Sequence, residues 1–303
     1  MGENTRSHSR TGGQVLIDQL KVHGVDTIFC LPGESYLAAM DAMHDAQNEM
    51  KIITCRQEGG VTNMADAYAK LTGKPGIAMV TRAPGACNAS IGVHTAMQDS
   101  SPMVIFIGQV ARDQEYREAF QEVDYHQFYG ALCKWVVQLD DADRIPELVS
   151  QAFHRAMSGR PGPVAVAMPE DMLRDLTEVE DAAPFKIARP GAAQDDMDAL
   201  RELLAGAEKP IAILGGGGWS AEATANFASF AAANEDAILS IEGQAIPVRA
   251  SVQSHTPELD EIRSGWTFRI SETQDLQRDD FDNPAFVFVD QGIDLFDKID
   301  GTA

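Results

Sequence analysis

From about residue 12 the chain alternates between two hydrophobic periodicities. Val15, Leu16, Gln19 and Leu20 recur at helical spacing, and residues 27–31 form a short apolar run that Pro32-Gly33 ends. Tyr36, Leu37, Met40 and Met43 predict a second helix, and residues 52–55 a second strand. Val61, Met64, Ala65, Tyr68 and Leu71 are assigned to one face of a third helix, with Gly73 as its left-handed stop. Further strands are predicted at 76–81 and 103–108, separated by the small-residue stretch 83–97. A strand at 135–139, a helix around 145–157 and a strand at 164–168 complete the series. Strands alternating with helices across short Gly/Pro turns predict an α/β fold, with a doubly wound, mainly parallel sheet carrying helices on both faces.

The pattern changes after residue 173. Residues 174–208 are acidic and weakly periodic until a short helix near Leu200, and read as a linker. A second, incomplete Rossmann-like α/β domain is expected over 209–303, opening with a strand at 210–214, the run Gly215-Gly216-Gly217-Gly218, and a helix from Ser220 to about Asn234. Beyond Asn234 the signal weakens to two candidate strands, at 237–241 and 285–290.

Composition narrows the function classes. The 303 residues suffice for two α/β domains, and 24 Lys+Arg against 46 Asp+Glu give a net charge of −22. Close to half of that excess lies beyond Asn234. A phosphate backbone needs clustered cations, so no nucleic-acid partner is expected, and anionic lipid is disfavoured for the same reason. No apolar run approaches the roughly 20 residues of a membrane span. Residues 1–11 are polar, lack the apolar stretch of a signal peptide, and read as a disordered tail. Cys30, Cys55, Cys87 and Cys133 are far apart and form no CxxC pair, which argues against zinc and a disulfide framework. Cys30 and Cys55 are expected to be small buried hydrophobes. The expectation is a reduced, cytoplasmic protein.

Candidate chemistry begins with Glu58, between a strand and a helix in Cys55-Arg56-Gln57-Glu58-Gly59-Gly60. A first-turn Glu can simply satisfy free amides and the helix dipole. The Gly59-Gly60 doublet costs helix stability there, and points instead to something flat approaching the backbone. Two more strand-to-helix junctions, at Leu31-Pro32-Gly33-Glu34-Ser35 and at residues 81–88, belong to the same edge of an open α/β sheet, where ligands bind. Each is a turn in its own right; together with Glu58 they favour a shared pocket. Gly216, Gly218 and Ala221 also fit G-x-G-x-x-A, a phosphate cradle that four successive glycines match by chance. No acidic ribose-binding residue stands at a convincing distance after it, so a nicotinamide dehydrogenase is disfavoured.

Several linked motifs carry a family resemblance. Residues 29–36, Cys55 to Gly60, Ala67-Tyr68-Ala69-Lys70-Leu71-Thr72-Gly73 and 80–88 are followed in order by Gly108-Gln109-Val110, Ala119-Phe120-Gln121-Glu122, Lys134-Trp135 and residues 158–163. Over about residues 12–234 the chain resembles the thiamine-diphosphate-dependent enzymes, most closely the acetohydroxyacid (acetolactate) synthase group. The resemblance implies a pyrimidine-binding domain over 12–173 and the start of a central domain.

It also implies roles. Glu58 would hydrogen-bond N1′ of the cofactor's aminopyrimidine and share a proton with it. The cofactor would serve as electron sink for decarboxylating a 2-oxo acid and joining the remainder to a second one, as from pyruvate to acetolactate in branched-chain amino acid biosynthesis. Pro32, Gly33, Pro84, Gly85, Asn88 and Gln121 match the pyrimidine side, with Cys87 where Thr is usual. Phe120 and Gln121 match residues near the substrate channel, although loop packing alone would also account for them. Arg160, Gly215, Gly216 and Gly217 match FAD contacts, and Arg160 is equally suited to a turn, pairing with a local carboxylate. Glu170 stands where many synthases have Lys, which unsettles the substrate assignment.

The family holds the diphosphate through Mg2+ in a further domain marked by Gly-Asp-Gly, a motif this sequence lacks. The chain is therefore expected to carry half of an active site, with no metal ligand of its own. It would work as a homodimer, or in a hetero-oligomer with a chain carrying the diphosphate-binding domain. The alternatives are a truncated, non-catalytic relic that folds and dimerises, a different thiamine-diphosphate 2-oxo acid decarboxylase, and a flavin- or nucleotide-binding module using the glycine run.

Overall fold

The computed structural model describes residues 9–188, 191–207, 211–215, 219–232 and 238–241. The chain divides into two compact units, Met1–Gly191 and Ala192–Ala303.

The first unit is built on six parallel strands. In chain order its elements are β1 (Arg10–Thr11), α1 (Gly12–Val22), β2 (Thr27–Cys30), α2 (Leu37–Asp45), β3 (Lys51–Thr54), α3 (Glu58–Thr72), β4 (Gly76–Val80), α4 (Gly85–Asp99) and β5 (Met103–Gln109). They continue through α5 (Tyr125–Tyr129), β6 (Trp135–Gln138), α6 (Ile145–Met157), β7 (Pro163–Pro169) and β8 (Leu176–Thr177). The sheet runs β3-β2-β4-β5-β7-β6, with β1 and β8 forming a separate antiparallel pair. The central strands β4, β5 and β7 are buried along their whole length, as parallel strands covered on both faces must be.

Two cores flank the sheet. Helices α1, α2 and α6 bury Leu16, Leu20, Met43, Val149 and Phe153 on one face. On the other, α3, α4 and α5 bury Val61, Ala65, Ala89, Val93 and Tyr129. Here the packing is backbone-close. A Cβ on Gly92 would strike Thr62 Oγ1 and come within 2.7 Å of Asn63 N, so α4 can approach α3 only through glycine. Thr62 Oγ1 donates across the gap to Ala89 O at 2.9 Å. Gly73 ends α3 at φ +69°, the left-handed stop expected of it.

The structure departs from the sequence reading at four places. Arg10 and Thr11, read with the tail, pair with β8, and the Thr11 side chain closes a capping box with Gln14 at the start of α1. Residues 1–8 lie outside the described residues. On α3 the core-facing positions are Val61, Thr62, Ala65, Asp66 and Ala69, while Met64 and Leu71 are exposed. Val61, Ala65 and Tyr68 face the core as predicted, but Met64 and Leu71 do not, because small residues rather than large ones meet α4. Residues 174–208 are no uniform linker. Val179 and Phe185 pack on the first core and Gln19 bonds both backbone groups of Ala182, whereas α7 (Gln194–Ala205) belongs to the second unit. Cys30 is buried as expected, but Cys55 is only half-buried; all four cysteines are free thiols.

In the second unit, β9 (Ile211–Leu214) and β10 (Ile238–Ile241) pair in parallel on either side of α8 (Ala221–Ala232) in the chain. The Ser220 hydroxyl accepts from Ala223 N–H at 3.0 Å as the cap of α8. Gly216, Gly217 and Gly218 and all residues from 242 onward lie outside the described residues, including the candidate strand at 285–290. No described helix is long and apolar enough to cross a membrane.

Candidate functional site

Parallel strands deliver their following loops to one edge of the sheet, and the predicted site residues after β2, β3, β4 and β5 all arrive at this carboxyl edge. Gln57 precedes α3 in extended backbone and its side-chain oxygen accepts from Gly60 N–H at 2.9 Å. The capping duty that would explain Glu58 away is thus performed by its neighbour. Glu58 is itself buried, and its Oε2 accepts from the Asn88 amide on α4 at 3.1 Å. The other oxygen faces the start of α4, where an ideal Cβ on Gly85 would lie 3.1 Å from Glu58 Oε1 and 2.7 Å from Thr81 Cγ2. Glycine at 85 keeps this face of the carboxylate clear.

The 81–86 turn is held from three directions. Ser35, fully buried, places its Oγ 2.8 Å from Thr81 Oγ1 and accepts from Arg82 N–H at 3.2 Å. Tyr125 OH accepts from Ala83 N–H at 3.1 Å, and Tyr129 OH donates to Ala86 O at 2.5 Å. Burial pushes both phenols above their ordinary range, so both remain protonated donors. Gly33 lies so close to Thr81 that a Cβ would strike the threonine Cβ, which locks the β2 and β4 junctions together. The structure therefore assembles Gly33, Glu58, Gly85 and Asn88 around Thr81, with Pro32 and Pro84 flanking the two turns.

Sequence reasoning passed over the residues that brace this assembly. Ser35 and Thr81 lay inside quoted motifs as small polar turn residues, whereas Tyr125 carried no local signal. Arg82 was also missed. Its guanidinium spans the edge, donating from Nη2 to Glu34 at 2.8 Å and from Nη1 to Glu170 at 3.1 Å, while its buried Nε has no partner. Glu170 is thereby tied to a cation.

The remaining site residues fare differently. Phe120 and Gln121 follow β5 to the same edge, on a loop where Phe120 is 72 % exposed. Arg160 lies at the opposite edge. It donates from Nε to Ser100 Oγ at 2.7 Å and from Nη2 to the Met97 and Gln98 carbonyls, closing the C-terminus of α4. These partners are a hydroxyl and two carbonyls, not the local carboxylate that the turn reading expected. Gly215 is exposed, while Gly216 and Gly217 lie outside the described residues. Among the described residues no group of three His, Cys, Asp or Glu is disposed to hold a metal ion.

Comparison with known proteins fits this geometry. Residues 10–128 match the family model "Thiamine pyrophosphate enzyme, N-terminal TPP binding domain". The chain belongs to the thiamine-diphosphate-dependent, acetolactate-synthase-like family. It is 40 % identical over 221 residues to an acetolactate synthase large subunit of Parasynechococcus marenigrum, an overlap of 70 % of this chain and 36 % of the relative. It is 35 % identical over 228 residues to the Haemophilus influenzae large subunit, covering 73 % of this chain and 39 % of that protein. The mitochondrial catalytic subunit of Saccharomyces cerevisiae is 33 % identical over 220 residues, 68 % of this chain and 32 % of the yeast protein. The chain thus spans well under half the length of the family members it matches.

Proposed function

We propose that this chain supplies the aminopyrimidine-binding half of a thiamine diphosphate site, in an acetolactate-synthase-like enzyme acting on 2-oxo acids. The observation that carries the reading is the buried Glu58 carboxylate, relieved of capping by Gln57, held by Asn88 and left clear on one side by Gly85. These residues fit the edge of a flat, nitrogen-bearing ring. Bound thiamine diphosphate would supply the electron sink for decarboxylation and carbon–carbon bond formation.

The chain's own groups have definable tasks. Glu58 Oε1 would meet a ring nitrogen and hold the shared proton, with Asn88 fixing the carboxyl plane so that the proton lies in line. The 81–86 turn, braced by Ser35, Tyr125 and Tyr129, would form the wall beside the ring. Phe120 and Gln121 would border the route taken by the 2-oxo acid. Mg2+ and the diphosphate would be bound by the other half of the site. That half would come from a second subunit, one carrying a diphosphate-binding domain. Exposed Leu37, Met64, Leu71 and Ile91 on α2, α3 and α4 suit such a contact.

A second reading, a thiamine-diphosphate decarboxylase of another 2-oxo acid, is favoured by Glu170. Its carboxylate lies where the family resemblance leads one to expect a cation, and it neutralises Arg82 instead. Arg160, which the resemblance matches to FAD contacts, bonds through Nε and Nη2 to the end of α4.

The test is calorimetric titration of thiamine diphosphate with Mg2+ into the chain mixed with a candidate partner carrying the diphosphate-binding domain. Binding is expected with the wild type and about tenfold weaker with Glu58→Gln. Equal binding by both would remove Glu58 from the site.

A further inference from the structure

The loop between β5 and α5 is held in an unfavourable backbone shape. Three of its non-glycine residues are left-handed: Tyr116 at φ 60°, Glu118 at φ 55° and Gln121 at φ 64°. L side chains disfavour this region, so three such residues within six positions require something that over-determines the loop. An apolar anchor does not provide it, because Tyr116 and Phe120 are both largely exposed.

The Glu122 carboxylate occupies the inside of the loop. Its Oε2 accepts from Ala119 N–H at 2.9 Å and its Oε1 from Tyr116 N–H at 2.6 Å, while its own N–H donates to Ala119 O at 3.0 Å. The amides of Ala119 and Tyr116 first, then those of Arg117 and Glu118, hold this carboxyl below the ordinary glutamate range. The base of the loop is fastened separately. Gln138 donates to Glu115, and the buried Gln109 amide donates to Val123 O at 2.9 Å. Between those fastenings, one carboxylate gathers the backbone that carries Phe120 and Gln121.

We infer that Glu122 is a positioning residue, an internal carboxylate that fixes the left-handed loop and so sets where Phe120 and Gln121 are presented. This rests on the reading of those two residues as bordering the 2-oxo acid route. A loop shaped in advance spares the ordering cost that a mobile one would meet on binding.

Amide hydrogen exchange read by mass spectrometry tests the inference in two arms. In the first, without ligand, Glu122→Ala is expected to speed exchange in residues 116–121 by about tenfold, with melting temperature and exchange across α3 unchanged. Glu122→Gln, which keeps one acceptor oxygen but turns an NH2 toward the second N–H, should recover only part of the protection. Exchange unchanged in Glu122→Ala, or accelerated equally across the unit, overturns the inference. In the second arm, pyruvate, thiamine diphosphate and Mg2+ should slow exchange at 119–121 in the wild type with its partner chain. If the first arm holds and the second shows no slowing, Glu122 still shapes the loop and the placement of Phe120 and Gln121 on the substrate route is wrong.

Discussion

On one side of the carboxyl edge, Glu58 and Asn88 project from two helices that touch through glycine, alanine and a threonine hydroxyl. On the other, Phe120 and Gln121 ride a loop that buries almost nothing and is shaped by one carboxylate. The first region is fixed by what cannot fit: a methyl group at Gly33, Gly85 or Gly92 meets an atom already there. The second is fixed by a few polar bonds to backbone amides. Steric exclusion in a close-packed interior yields little to thermal motion, whereas exposed hydrogen bonds open locally at low cost. A ring that must be held in one plane belongs in the first kind of region, and a substrate that must enter and leave passes the second.

The contrast is open to attack by substitution. Gly85→Ala should have the largest effect, because the added methyl would lie 2.7 Å from Thr81 Cγ2 and 3.1 Å from Glu58 Oε1. Cofactor affinity is expected to fall by about 100-fold in titration, a loss of about 2.7 kcal/mol. Gly92→Ala, remote from any ligand, should lower unfolding stability by roughly 2–3 kcal/mol in denaturant titration, as α4 is forced off α3.

The stretch after β8 offers a pH test of polar fastening. His23 Nδ1 accepts from Phe185 N–H at 3.3 Å, and its ring lies 4.7 Å from that of Phe153. Burial, with His154 nearby adding repulsion, lowers its pKa from 6.5 to about 4. The folded state thus holds His23 neutral while the unfolded chain takes up a proton, so stability is lost as pH falls from 6.5 to 4. A decline of roughly 2 kcal/mol over that window is expected, and His23→Gln should flatten it. Tyr125→Phe should cost about 1–2 kcal/mol by freeing Ala83 N–H. The smallest change is expected in the loop itself, where Glu122→Ala should alter global stability by less than about 0.5 kcal/mol.

The same contrast explains what could be read from the sequence. Alternating strand and helix patterns marked the sheet, and Gly73 announced the end of α3. Glu58 drew attention through the Gly59-Gly60 doublet beside it, whereas Gly85 and Asn88 were legible only through the family resemblance. The face of α3 was legible at Val61, Ala65 and Tyr68 but not at Ala69, which carries less hydrophobic weight than the exposed Met64 and Leu71. Val179 and Phe185 were hidden in an acidic stretch whose average polarity outweighs two well-placed apolar residues. Arg82 with Glu34 and Glu170 joins three strand ends far apart in sequence, and no local pattern encodes such a bridge. Glu122 sits in a quoted motif, but its task depends on backbone angles that composition does not reveal.

The central claim is that Glu58 recognises a ring nitrogen of thiamine diphosphate. The most direct measurement compares, in the presence of Mg2+ and the partner half of the site, the affinities for thiamine diphosphate and for an analogue with carbon in place of the N1′ nitrogen. The wild type should prefer the natural ring by about tenfold or more, the worth of a charge-assisted hydrogen bond, and Glu58→Gln should erase most of that preference. An undiminished preference in Glu58→Gln would contradict the account.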